Sequence, residues 1–140
     1  MKRQATAQWQ GDLKTGKGSI TTDSGVLSQT PYSFSTRFES EKGTNPEELI
    51  AAAHAGCFTM ALSAELGKAG LTAKSLRTTA AVSLEKNGGG WGVTASRLDL
   101  VAQVPGASQE AFRTAAETAK ANCPISKLLN AKISLTWKLE

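Results

Sequence analysis

Two cysteines and one histidine carry most of the nucleophilic chemistry open to this chain. A thiol can fill a core, bind a metal, attack an electrophile or cycle through oxidation, and its surroundings decide which. Cys123 stands directly before Pro124. Proline disfavours helical backbone at the preceding residue and suits the first position of a new helix. Cys123 is therefore expected just ahead of a helix start, where unsatisfied N–H groups and the positive end of the dipole favour a thiolate. Cys57 is different. It lies among Ala55, Gly56, Phe58 and Met60, and burial among such neighbours raises a thiol pKa. Read alone, Cys57 is a small core hydrophobe. To react it needs a positive group beside it. His54 offers one locally, three residues earlier on the same helix face. Arg37 is the other candidate, brought from a separate element.

The element that holds Cys57 runs from Thr44 through Leu66. Asn45 can cap it, Pro46 suits its first position, and Glu48 has capping-box spacing from Asn45. Apolar or small residues fall on every side, which marks a helix buried all round. Gly67 to Gly70 supplies the stop. Residues 5–10 and 19–22 read as short strands, separated by turn signals at Gly11-Asp12 and Gly16-Lys17-Gly18. Tyr32 to Glu39 alternates, with Tyr32, Phe34, Thr36 and Phe38 on one face. That pattern predicts a strand with Arg37 on its polar side, where the plain reading is a solvated arginine.

Ser75 to Glu85 and Trp91 to Val104 form two further expected strands joined by a hairpin at Asn87-Gly88-Gly89-Gly90. The second changes phase near Arg97, which suggests a bulge there. Ser108 caps a second long helix, Pro124 opens a short one, and residues 132–138 alternate as a last strand. The expected order is βββ-α-ββ-α-α-β, an α+β fold.

At 140 residues the chain is expected to be one domain spanning 1–140. No run of about 18 consecutive apolar residues occurs, so no membrane span is expected. Met1-Lys2-Arg3-Gln4-Ala5 has no apolar segment behind it. No secretory leader is expected, and the location is read as cytoplasmic. The formal charge of +4 is mild, and the basic residues are scattered without aromatic interleaving. That argues against a nucleic-acid partner. One histidine and no C-x-x-C make no metal site, and no cofactor is expected. In a reducing cytosol a cysteine pair is more often free or redox-active than structural.

Four blocks together carry a resemblance. Arg37-Phe38-Glu39, Gly43 through Leu49, Ala53-His54-Ala55-Gly56-Cys57-Phe58 and Asn122-Cys123-Pro124-Ile125-Ser126 resemble the signature blocks of the OsmC/Ohr family, with the closer likeness to its OsmC branch. The likeness runs from Trp9 through Trp137. It implies an OsmC-like fold, with antiparallel-rich sheets around a long buried central helix, in an intertwined homodimer with sites at the subunit interface. It implies a thiol-dependent peroxidase of organic hydroperoxides and, less well, of hydrogen peroxide, in defence against oxidative and osmotic stress. By the same resemblance Cys57 is the peroxidatic cysteine and Cys123 the resolving one, the two ending in a disulfide. Arg37 and Glu47 match the charged pair of the site. An external dithiol is needed to reopen the disulfide, and the family suggests a lipoyl group on a protein. His54 receives no catalytic role, since relatives carry Tyr at its place.

One geometric constraint comes from the helix itself. Glu47 precedes Cys57 by ten residues, about 15 Å along a straight helix and roughly 80° around it. Glu47 then cannot touch its own Cys57, which favours a site assembled from two chains. Three other readings compete. A Cys–His hydrolase would use Cys57 and His54 but shows no oxyanion hole. A non-enzymatic redox sensor or ligand-binding dimer would share both cysteines. A plain structural protein leaves Arg37, Glu47, Cys57 and Cys123 without a reason.

Overall fold

A computed structural model describes Met1 through Glu140. The chain divides into two compact units, Met1–Leu49 and Ile50–Glu140. The fold is α+β, with one three-stranded sheet in each unit.

In the first unit, β1 (Ala5–Gln10), β2 (Lys17–Thr22) and β3 (Thr30–Tyr32) form an antiparallel sheet in the order β1-β2-β3. The β1–β2 connection is organised by Asp12, whose carboxylate accepts from the Lys14 and Thr15 N–H groups. Lys17 and Gly18 belong to β2 rather than to a turn. Gly18 is glycine because the Trp9 and Tyr32 rings close over it; a Cβ there would lie 2.4 Å from Tyr32 and 2.7 Å from Trp9.

The expected strand over Tyr32 to Glu39 is replaced by a short helix, α1 (Phe34–Phe38). Two local causes decide this. Ser33 and Thr36 form a reciprocal capping box: Thr36 N–H donates to Ser33 Oγ, and Ser33 N–H donates to Thr36 Oγ1. Phe34 and Phe38 then meet at i,i+4, with ring centroids 4.9 Å apart. That spacing puts both rings on one face in a strand as well, so the alternation could not discriminate. Arg37 therefore sits in the last turn of a helix.

The long helix α2 (Pro46–Lys68) begins in the first unit and continues through the second. Asn45 Oδ1 caps it by accepting from Glu48 N–H at 2.8 Å, with Glu47 and Glu48 in the first turn. The Asn45 amide also donates to the Thr36 carbonyl, which ties α1 to the start of α2. The far end closes as a Schellman turn. Leu71 N–H donates to the Leu66 carbonyl, Gly70 N–H to that of Gly67, and Gly70 takes the required positive φ of 73°.

In the second unit, β4 (Ser75–Asn87) and β5 (Gly90–Gln103) are antiparallel. After β5, α3 (Gln109–Asn122) and α4 (Pro124–Leu128) lead to β6 (Lys132–Leu139), which pairs parallel to β5. The sheet order is β4-β5-β6. The irregularity in β5 falls at Thr94, not at Arg97: Ser83 pairs with Ala95 and Leu84 with Val93. Beyond it the buried positions Ser96, Leu98, Leu100 and Ala102 keep strict alternation. The apparent phase change at Arg97 arose because the first of them is a serine.

The core of this unit gathers Phe58, Leu62 and Leu66 of α2, Leu98, Leu100 and Ala102 of β5, and Phe112, Ala115, Ala116 and Ala119 of α3. Burying each large side chain contributes about 1.5–3 kcal/mol. Within one chain α2 is not buried all round. His54, Phe58, Leu62 and Leu66 make a single buried stripe at four-residue spacing. The helix is, by length and composition alone, apolar enough to cross a membrane; its buried stripe packs into the core as that of a globular domain does.

Candidate active site

The two cysteines meet. Cys57 comes from the middle of α2 and Cys123 from the joint between α3 and α4. Pro124 forces that joint. Cys123 adopts φ −54°, ψ 128°, ends α3 by donating its N–H to the Ala119 carbonyl, and opens α4 by accepting from Lys127 N–H. Its side chain is fully buried, and that of Cys57 is partly so. Both are free thiols, with the sulfurs 2.8 Å apart. An S–S bond is about 2.05 Å, so closure needs less than about 1 Å of movement.

Their acidities differ. Burial pushes the Cys57 thiol up, and its hydrogen bond with Cys123 pushes it further, against a smaller pull from the Ile125 N–H. Burial also pushes Cys123 up, but the Cys57 thiol, the Ser126 N–H and hydroxyl, and the Ile125 N–H outweigh it. Their surroundings thus push the two thiols in opposite directions, Cys57 up and Cys123 down. Cys57 in this environment still lacks a positive neighbour.

The second predicted pair also meets, in the first unit. Arg37 donates from Nε and Nη2 to the Glu47 carboxylate, the shortest contact being 2.7 Å. Such a fork fixes the plane of the guanidinium. The Arg37 guanidinium also lies 5.1 Å from the centre of the Phe38 ring. Beside it is an apolar cavity of about 260 Å³, lined by Trp9, Leu13, Tyr32, Phe34, Arg37 and Phe38 among others.

His54 does not serve Cys57. It is completely buried, and both ring nitrogens are taken: Nδ1 by Ser96 Oγ at 2.7 Å and Nε2 by Ser126 Oγ at 2.8 Å. Burial holds its pKa below the ordinary imidazole value, so the ring is neutral. Neutrality removes the cation, and the two serine contacts tie up the nitrogen that a Cys–His hydrolase would use as general base. Ser96 and Ser126 escaped the sequence reading. One signal was available for each: an inward-facing polar residue in β5, and a hydroxyl on the first turn after Cys123-Pro124.

The family model described as OsmC-like protein matches residues 39–138. The peroxiredoxin OsmC of Escherichia coli (strain K12) is 52% identical over 138 residues, which is 99% of this chain and 96% of that one. Among solved structures, the organic hydroperoxide resistance protein OhrB of Bacillus subtilis superposes with a TM-score of 0.71 at 27% identity, covering 96% of this chain and 98% of that one. An OsmC-like protein of unknown function from Vibrio cholerae superposes with a TM-score of 0.79 at 19% identity over 99% of both chains, a likeness of fold.

Proposed function

The chain belongs to the OsmC family, and from that premise we propose that it is a cysteine peroxidase acting on organic hydroperoxides and, less well, on hydrogen peroxide. The observation that carries this reading is the pair of free thiols with sulfurs 2.8 Å apart. Cys57 as thiolate attacks the terminal peroxide oxygen. The O–O bond breaks, Cys57 becomes a sulfenic acid, and the departing alkoxide takes a proton to leave as alcohol. The Cys123 thiolate then attacks the Cys57 sulfur; the S–S bond forms, the S–O bond breaks, and hydroxide leaves as water. An external dithiol, such as a lipoyl group on a protein, reduces the disulfide by thiol exchange and is itself oxidised.

Cys57 needs a cation, because burial raises its pKa. Arg37, held by Glu47, is the group that supplies it, favouring the thiolate by about 1–3 pKa units when close. Its planar fork also suits the two oxygens of a peroxide. Glu47 and Cys57 lie ten residues apart on one helix, about 15 Å along its axis. Arg37 and Glu47 of one chain therefore serve Cys57 of a second copy. The face of α2 opposite its buried stripe supports a homodimer: Ala53, Gly56, Met60 and Gly67 are exposed there, Met60 by 77%. The aromatic cavity beside Arg37 suits an alkyl group better than a small polar peroxide. In this reading residues 1–140 act as one domain in each chain, in a reducing cytoplasm, without nucleic acid or membrane as partner.

The test is a thiol titration followed by turnover. One equivalent of cumene hydroperoxide per chain is expected to remove both free thiols. Continuous peroxide consumption is then expected with a lipoyl dithiol present. Retention of both thiols would reject the chemistry. Consumption of one equivalent that stops despite the dithiol would make the protein a redox sensor.

A further inference from the structure

Four of the chain's eight aromatic residues (three Trp, one Tyr and four Phe) line one cavity of about 260 Å³: Trp9, Tyr32, Phe34 and Phe38, with Arg37 among them. We propose that this cavity selects hydroperoxides that carry an aryl group. Trp9 and Tyr32, brought together over Gly18, are specificity-determining residues that hold a flat ring while Arg37 engages the peroxide. The inference rests on the peroxidase reading and names the substrate class of that same site.

The walls are built from two ring pairs. Trp9, Gly18 and Tyr32 stand directly opposite one another across β1, β2 and β3. With no side chain at Gly18, the flanking rings close over it, their centroids 5.5 Å apart and their planes tilted by 55°. A Cβ at Gly18 would lie 2.4 Å from Tyr32 and 2.7 Å from Trp9, so this glycine sets where both rings sit. The indole is also fixed by its Nε1–H, which donates to the Gly11 carbonyl at 3.1 Å. The second pair comes from α1, where Phe34 and Phe38 meet at 4.9 Å and 43°. Neither pair is stacked face to face, so each presents ring edges as well as faces. A bound aryl group can meet them edge to face, the arrangement that the ring quadrupole favours. A saturated group of the same bulk gains the apolar burial without that attraction.

Size and position agree with one compact ring. The cavity, about 260 Å³, is smaller than the roughly 300–1,000 Å³ of sites for drug-sized ligands. Rings that only filled a core would close the space between them, yet Trp9 stays 36% exposed and the cavity stays open. Arg37 fixes the polar end, gripped by Glu47 and 5.1 Å from the Phe38 ring. A peroxide on that guanidinium places its organic group among the rings.

The test compares cumene hydroperoxide with its cyclohexyl analogue, in which the phenyl ring is saturated. Both are tertiary hydroperoxides, and they differ in the flatness and π-system of the ring. kcat/KM for each is measured with dihydrolipoamide as reductant. Their ratio is set against the ratio for direct oxidation of the free dithiol by the same two peroxides. The native protein is expected to favour the aryl substrate by about 2- to 10-fold over that reference, the worth of one well-placed aromatic contact. Trp9→Leu and Tyr32→Leu should each lower the ratio toward the reference, and Tyr32→Phe should keep it. Gly18→Ala should lower it with every ring still present. An equal loss on both substrates in these variants assigns the rings to the fold and rejects the proposal. The native ratio decides even where a variant fails to fold: a value at or below the reference overturns the selectivity. If native protein with that value still consumes tert-butyl hydroperoxide, the peroxidase reading stands. Native protein inert toward all three peroxides overturns that reading and the proposal with it.

Discussion

Cys57 and Cys123 sit with their sulfurs 2.8 Å apart while their surroundings push their acidities in opposite directions, Cys57 up and Cys123 down. The Cys57 thiol, ahead of the N–H groups that follow Pro124, favours charge on Cys123, and burial disfavours it on Cys57. Of the two, Cys123 is the thiol whose surroundings favour the charge that trapping a sulfenic acid on Cys57 would use.

Substitution of each cysteine is expected to separate the two half-reactions. Cys57→Ser should abolish hydroperoxide consumption, and consumption that survives would reject the peroxidatic assignment. Cys123→Ser should still permit the first oxidation but leave the sulfenic acid untrapped. Excess hydroperoxide should then carry Cys57 to the sulfinic acid, a gain of two oxygens over the thiol visible by intact mass.

Arg37→Ala is expected to lower kcat/KM for an alkyl hydroperoxide by about 10- to 100-fold near neutral pH, since a close cation is worth about 1–3 pKa units on the thiol. The sign of the pH effect is fixed. Losing a cation raises the Cys57 pKa, so the rising limb of the rate profile moves to higher pH. Arg37→Lys should recover only part, because a point charge lacks the fork that Glu47 grips through Nε and Nη2. Equal rates and profiles in native and Arg37→Ala protein would remove Arg37 from the site.

Dilution tests the assembly. If one chain lends Arg37 and Glu47 to the Cys57 of another, activity per chain should fall as the protein is diluted through the dissociation of its dimer. The fall should coincide with the mass change seen by light scattering. A monomer that retains full peroxidase activity would place the whole site in one chain.

The parts of this molecule legible in its sequence are those with local causes. The Pro124 rule located Cys123 between two helices, Asn45 and Pro46 marked the start of α2, and Gly70 marked its stop. Local patterns that satisfy two periods at once misled. Phe34, Thr36 and Phe38 alternate as in a strand, yet Phe34 and Phe38 also fit i,i+4, and the Ser33–Thr36 capping box selects the helix. The pairing of Cys57 with Cys123 and of Arg37 with Glu47 followed from the family blocks, not from periodicity. The His54 network was invisible for a different reason. Its partners come from β5 and α4, far away in sequence, and a serine facing inward looks like a break in the strand pattern until its histidine is known.

His54 should also make the fold sensitive to acid. Burial lowers its pKa in the folded chain below the ordinary value of about 6.5, so the unfolded chain binds the proton more readily. Stability from this group is therefore fully present above pH ~6.5 and declines as pH falls, until the folded pKa is reached. The slope cannot exceed about 1.4 kcal/mol per pH unit for one proton. Protonation also makes both ring nitrogens donors, so Ser96 and Ser126 must both accept from the ring and turn their own hydroxyl protons elsewhere. Urea midpoints of the reduced protein at pH 7.5 and pH 5.5 measure the loss. His54→Gln cannot take up a proton, so its midpoint should fall less over the same interval, whatever its stability at pH 7.5. An equal acid loss in both proteins would assign the sensitivity to the carboxylates instead.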